Sequence, residues 1–238
     1  MHGRGRHSGR LLGFTAALTL VLATWNNIIV NRLPDHPASY VVANVVAAAV
    51  VLLAARWAGL SWEELGLARR RIPAGASWGA VCFVLVAAAY VVALAVPQLR
   101  PLLTDARVSG VDAGEVAYRA LVRIPLGTVF WEELAFRGVL LAALSRLLAV
   151  RTAVAASAVL FGFWHIRPTL AAVAVNDLAD GVLLTALAVL AGCVATALAG
   201  VVFAWLRLRS GRLLAPALLH LGANSLGVLA AAAAFRLG

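Results

Sequence analysis

The chain is 238 residues long, 63% of them apolar and only 13% charged, and its mean hydropathy of +0.94 excludes an ordinary soluble domain. Its formal excess of ten positive charges is carried entirely by arginine, which in a soluble protein would point to nucleic acid. Here the arginines fall mostly in short loops between apolar runs, where they report orientation and contact with anionic headgroups, so no nucleic-acid partner is expected. The expected class is all-α, a polytopic transmembrane helical bundle of about seven spans in a lipid bilayer.

In chain order, residues 1–10 read as a basic cytoplasmic head. Leu11 to Val30 is long enough to span and leads into further spans, so it is expected to be a retained first helix rather than a cleaved signal, with Asn26 and Asn27 as interfacial or helix-contact polar groups. A turn holding two prolines precedes a second run over 38–58. Ser61-Trp62-Glu63-Glu64 reads as a helix start, with a capping hydroxyl and acids in the first turn, and Arg69-Arg70-Arg71 marks a cytoplasmic loop. The third span covers 74–96, and a polar loop follows. The stretch 115–149 is helical over some 35 residues, roughly 52 Å at 1.5 Å per residue and longer than the hydrocarbon of a bilayer, so a break is expected at Pro125. Spans over 152–170, 181–205 and 213–235 complete the chain. Cys82 and Cys193 lie inside apolar runs and read as small hydrophobes, with no disulfide framework or metal site inferred.

Arginine placement orients this layout. Twelve arginines fall on the side of the head and of the even-numbered loops and five on the other, which puts the N-terminus in the cytoplasm of a multi-pass protein in a bacterial-type inner or plasma membrane. Residues 11–238 are expected to form one transmembrane domain, with a catalytic core over about 115–235.

Three polar interruptions stand out, because ionisable groups at bilayer depth cost several kcal/mol and persist mainly where they act. They are Glu132-Glu133 with Arg137, His165, and His220 with Asn224. Counted from the cytoplasmic helix ends, Glu132 and His165 lie about 21 Å deep, His220 about 12 Å and Asn224 about 18 Å. Spacings of four place Glu133 with Arg137, Phe161 with His165, and His220 with Asn224 on shared helix faces. A carboxylate and an imidazole can share the proton of an attacking water, while a second imidazole and a carboxamide hold an oxyanion. Equally, Glu132, His165 and His220 are a set that zinc accepts, with water in the fourth position. The plainer readings are a charge-neutralising Glu133–Arg137 bridge and interhelical hydrogen-bonding histidines. The only two histidines within spans, however, both fall at overlapping depth with Glu132.

Glu-Glu-x-x-x-Arg, Phe-x-x-x-His and His-x-x-x-Asn, in that order on three late helices, resemble the CAAX-protease and bacteriocin-processing (CPBP, Abi) family of intramembrane proteases. The resemblance covers about Phe130 to Gly227. It implies an endopeptidase acting on a membrane-embedded or lipid-anchored peptide or protein, with Glu132 and His165 activating water, His220 and Asn224 as the oxyanion hole, and Glu133, Arg137 and Phe161 in support. Zinc stays open, since the family is described both as metal-dependent and as glutamate-dependent. No His-Glu-x-x-His motif is present, and Gly75-Ala76-Ser77-Trp78-Gly79 opens a membrane helix rather than a nucleophile elbow. The alternative of a different class is a non-catalytic scaffold, immunity protein or small transporter that uses the same polar cluster to hold helices together.

Overall fold

The computed structural model describes residues 2–237, with side chains from Gly9 onward, so the head arginines Arg4 and Arg6 lie outside the described side chains. The backbone of the expected head is not a separate segment: from His2 it is the start of the first helix. The elements are α1 (His2–Thr24, prolonged by a π turn, Trp25–Ile29), α2 (Tyr40–Trp57), α3 (Ile72–Ala95), α4 (113–147), α5 (Val150–Trp164), α6 (Ile166–Val175), α7 (Gly181–Ser210) and α8 (Leu214–Leu237). No strand occurs among the described residues.

Six stretches are long and apolar enough to cross a membrane, α5 and α6 together counting as one. They carry their apolar side chains outward: Val182 is 90% exposed, Leu183 71% and Leu53 70%, as a lipid-facing surface requires. The seventh expected span, α4, is not among the six. Its Glu132, Glu133 and Arg137 lower its hydropathy, and it sits inside the others, with every residue from Trp131 to Ala143 buried. A helix enclosed by protein can hold charge that a lipid-facing helix cannot.

Three local expectations change. Pro125 does not break α4; the helix widens to π geometry over Arg119–Phe130 and again over Glu133–Leu140, and the looser turn takes up a residue that lacks an N–H. The break falls instead at His165, between α5 and α6, within the stretch expected as one span. Ser61 and Glu64 do make the reciprocal capping contacts, Ser61 N–H to Glu64 Oε2 at 2.8 Å and Glu64 N–H to Ser61 Oγ at 3.2 Å, but no helix follows. Leu60 and Leu65 are fully buried and Gly66 has φ of +72°, so the segment folds back as a plug under the arginine-rich end. Arg146 grips Glu64 through Nε (2.6 Å) and Nη2 (2.8 Å), and Arg207 donates to the Glu64 carbonyl at 2.6 Å.

Helix contacts are made by small residues, which let backbones approach. A Cβ at Gly162 on α5 would lie 2.6 Å from the Cys193 carbonyl oxygen of α7, whereas a Cβ at Gly13 would meet nothing within 4 Å. Gly162→Ala is therefore expected to destabilise the bundle by about 1–3 kcal/mol, read as a lower unfolding midpoint in detergent, while Gly13→Ala leaves the midpoint near that of the parent. The plug gives a second expectation. Hydrogen bonds from Arg146, and then from Ser61, hold the Glu64 carboxyl down to about 2 from its ordinary 4.5. A depressed carboxyl supplies stability that is complete above its unfolded value and is lost as pH falls through the folded one. The unfolding midpoint should drop between about pH 4.5 and 2, and Glu64→Gln should remove that part of the drop.

Candidate active site

The irregular turn of α4 brings both carboxylates to one partner. Glu132 and Glu133 are each 2% exposed, and His220 of α8 lies against both. Its Nδ1–H donates to Glu133 Oε1 at 2.8 Å, which leaves Nε2 facing Glu132 Oε2 at 3.9 Å. The other oxygen of Glu132, Oε1, accepts from the indole Nε1–H of Trp164 at 2.9 Å. Glu132 Oε2 and Glu133 Oε2 have no hydrogen-bond partner among the described residues.

Arg137 is the compensating cation. Its Nη1 lies 3.4 Å from Glu133 Oε1, an ion pair without hydrogen-bond geometry, and its guanidinium carbon lies 3.9 Å from the Phe161 ring centroid and 4.8 Å from that of Phe203. Aromatic faces attract a desolvated cation without needing hydrogen bonds, which is how a guanidinium 1% exposed is accommodated. The same two rings order the imidazoles: His220 stacks on Phe203 (5.0 Å, 21°), and Phe161 lies 4.5 Å from His165 and 6.4 Å from His220.

His165 sits at the α5–α6 break, where its Nδ1–H donates to the Phe161 carbonyl at 2.8 Å and leaves Nε2 as the free ring nitrogen. A helix break frees backbone groups that must be satisfied elsewhere. Asn27 of the π turn after α1 takes two of them, Nδ2 donating to the Phe163 carbonyl (2.8 Å) and Oδ1 accepting from the Arg167 N–H (3.0 Å). Asn26 Nδ2 donates to the Trp164 carbonyl at 3.1 Å. In the same way the Gly127 carbonyl in the π stretch of α4 accepts from Asn44 of α2 at 2.7 Å, and the Ala120 carbonyl from Ser225 of α8 at 2.8 Å.

The structure thus gathers Glu132, Glu133, Arg137, Phe161, His165 and His220 around the Phe161 and Phe203 rings. Asn224 stands one turn beyond His220, in the π segment Gly222–Leu226, and makes no side-chain hydrogen bond among the described residues. It lines a cavity of about 510 Å³ together with Tyr40, Thr128, Arg119, Arg123 and residues of the 102–108 loop, at the end away from the arginine-rich plug. A larger hollow of about 890 Å³ between α5–α6 and α7 is almost wholly apolar and holds none of the site residues.

Of the three groups that zinc would take, each keeps one uncommitted donor atom: Glu132 Oε2 and the Nε2 atoms of His165 and His220. No group of three or more His, Cys, Asp or Glu side chains among the described residues is, however, gathered to hold a metal. Glu132, His165 and His220 converge as a cluster but not as a ligand shell, and no chemical step is routed through a metal.

Sequence reading missed Trp164, Asn44 and Phe203 and gave Asn26 and Asn27 only a general role. Trp164 adjoins His165 and Asn44 interrupts an apolar run, but neither partner is visible without the fold.

Residues 115–226 match the family model described as type II CAAX prenyl endopeptidase Rce1-like, a segment that contains every charged and imidazole group above and Asn224. Comparisons with curated proteins and with solved structures gave no match. Six helices long and apolar enough to span, together with this match, make the chain a multi-pass membrane protein that over residues 115–226 is similar to the type II CAAX prenyl endopeptidase Rce1-like family.

Proposed function

We propose that the chain is an intramembrane endopeptidase in which Glu132 and His165 activate water and His220 with Asn224 stabilises the oxyanion. The observation that carries the reading is the asymmetry of Glu132: one oxygen is fixed by Trp164 while the other, free of hydrogen bonds, faces His220 Nε2 across 3.9 Å. A carboxylate so held in a water-excluding site is placed to take a proton, and the surrounding low dielectric strengthens its contacts.

In this mechanism Glu132 Oε2 accepts a proton from water, with His165 Nε2 as the second acceptor that orients it, and the oxygen attacks the peptide carbonyl carbon. The C=O pair moves onto oxygen. His220, its Nδ1–H committed to Glu133, donates to that oxygen through Nε2 in its protonated form, and the Asn224 amide donates from the cavity side. Collapse breaks the C–N bond, and the proton held by Glu132 passes to the departing amine. Glu133, Arg137 and Phe161 act in support, the first two by neutralisation and the last by holding both imidazoles. The peptide enters through the cavity beside Asn224, on the face away from the cytoplasm in the orientation that the arginine bias gives. Its source is a membrane-embedded or lipid-anchored protein or peptide of a bacterial-type plasma membrane, handled by a single domain over 11–238.

Glu132→Gln keeps the Trp164 bond but cannot act as a base, so cleavage should fall by about 10²–10⁴-fold with folding intact. The measurement is a comparison of new peptide termini in membranes expressing the parent or the variant at matched levels; a variant with full activity would sink the assigned role. Glu133→Gln should behave differently. It leaves the Arg137 charge buried without its carboxylate, so stability should fall by about 3–5 kcal/mol, and adding Arg137→Met should recover much of that loss without restoring activity. Thermal unfolding in detergent of the single and double variants checks both parts.

A further inference from the structure

We propose that Trp164 is a positioning residue for Glu132, so that the single end of α5 sets both halves of the water-activating pair. The inference rests on the mechanism proposed above and adds a residue to it. Trp164 is fully buried, and its indole is wedged between Trp131 (centroids 6.1 Å) and Phe136 (5.4 Å). Its backbone is held as well, through Asn26 to its carbonyl.

Two features make this more than packing. An indole N–H is a donor only, so it can neither take a proton from Glu132 nor exchange roles with it during turnover. Bound at 2.9 Å to Oε1, it fixes the rotation of the carboxylate and leaves Oε2 as the oxygen facing His220. Trp164 is also the last residue of α5, and His165 follows it at the break. The indole that orients the base and the imidazole that shares its water therefore move as one unit, anchored by Asn26 and Asn27 across the same break. A shift of that end by even an ångström would displace both groups, and misplacements of this size cost about 10²-fold in rate.

The test separates the N–H from the ring. Trp164 is replaced by Phe and, by site-specific incorporation, by 3-benzothienylalanine, which keeps the shape of indole but carries sulfur in place of N–H. Kinetics are followed on a quenched reporter peptide built around a cleavage site mapped by the terminus comparison, with Glu132→Gln in parallel and thermal unfolding of each protein. The expected result is that the benzothienyl protein unfolds close to the parent, keeps KM within about twofold and loses about 10- to 100-fold in kcat, with Trp164→Phe at least as impaired. A benzothienyl protein of parental kcat beside an inactive Glu132→Gln would overturn the role of the indole while leaving the mechanism standing. Full activity in Glu132→Gln, or no cleavage site dependent on the parent, would overturn the mechanism and this inference with it.

Discussion

The structure is organised around the burial of three formal charges within two turns of one helix. Glu132, Glu133 and Arg137 are at most 2% exposed, and a charge taken out of water is tolerated only when neighbours replace its hydration. The cluster carries two carboxylates to one guanidinium, so neutralisation within α4 is incomplete. The remaining polar partners arrive from elsewhere: Trp164 from α5 and His220 from α8. Arg137 obtains its surroundings from aromatic faces, because hydrogen bonds donated to further carboxylates would add charge to the site. That choice explains why Phe161 and Phe203 touch both the arginine and the imidazoles.

A second constraint follows from placing those groups at matching depth. A regular helix presents adjacent residues about 100° apart, yet Glu132 and Glu133 both reach one imidazole, and His165 must turn toward them from another helix. The chain meets this with π turns in α4 and α8 and a break in α5–α6, each of which strands backbone groups in a region without water. Asn26, Asn27 and Asn44 satisfy the freed carbonyls from α1 and α2, helices that lie before the family-matched segment. The irregular backbone of 115–226 is thus stabilised by carboxamides outside it.

This division accounts for what the sequence made legible. The apolar runs, the lipid-facing helices and the polar groups at matching depth follow from composition and from the periodicity of single helices, which is why six of the expected spans appear near their expected limits. The four-residue spacings were readable for the same reason, and Phe161 with His165 is in contact as its spacing implied. What could not be read depends on contacts between helices far apart in sequence. Pro125 has the local signature of a break, but the enclosing helices hold α4 together in a wider turn. Ser61 and Glu64 have the signature of a helix start, but Glu64 is drawn to Arg146, 82 residues away. Asn27 reads as an interfacial residue until the break 136 residues on requires a donor.

The two ends of the bundle differ in a way that bears on how a substrate is admitted. At the arginine-rich end the 59–68 segment is tied down by Arg146, Arg207 and Arg212, and the Leu213 N–H donates to the Gly66 carbonyl at 3.0 Å. The crevice that remains there, about 250 Å³, is lined by Arg137, Arg146 and Arg207 and by none of Glu132, His165, His220 or Asn224. At the opposite end the cavity is about twice as large and Asn224 lines it directly. Arg137 and its aromatic cage therefore stand between the plug and the carboxylates, closing the side where charge neutralisation is completed. In the mechanism proposed above, water and peptide come to Glu132 from the other side, past Asn224, so the group proposed to hold the oxyanion also lines the cavity by which the carbonyl would arrive.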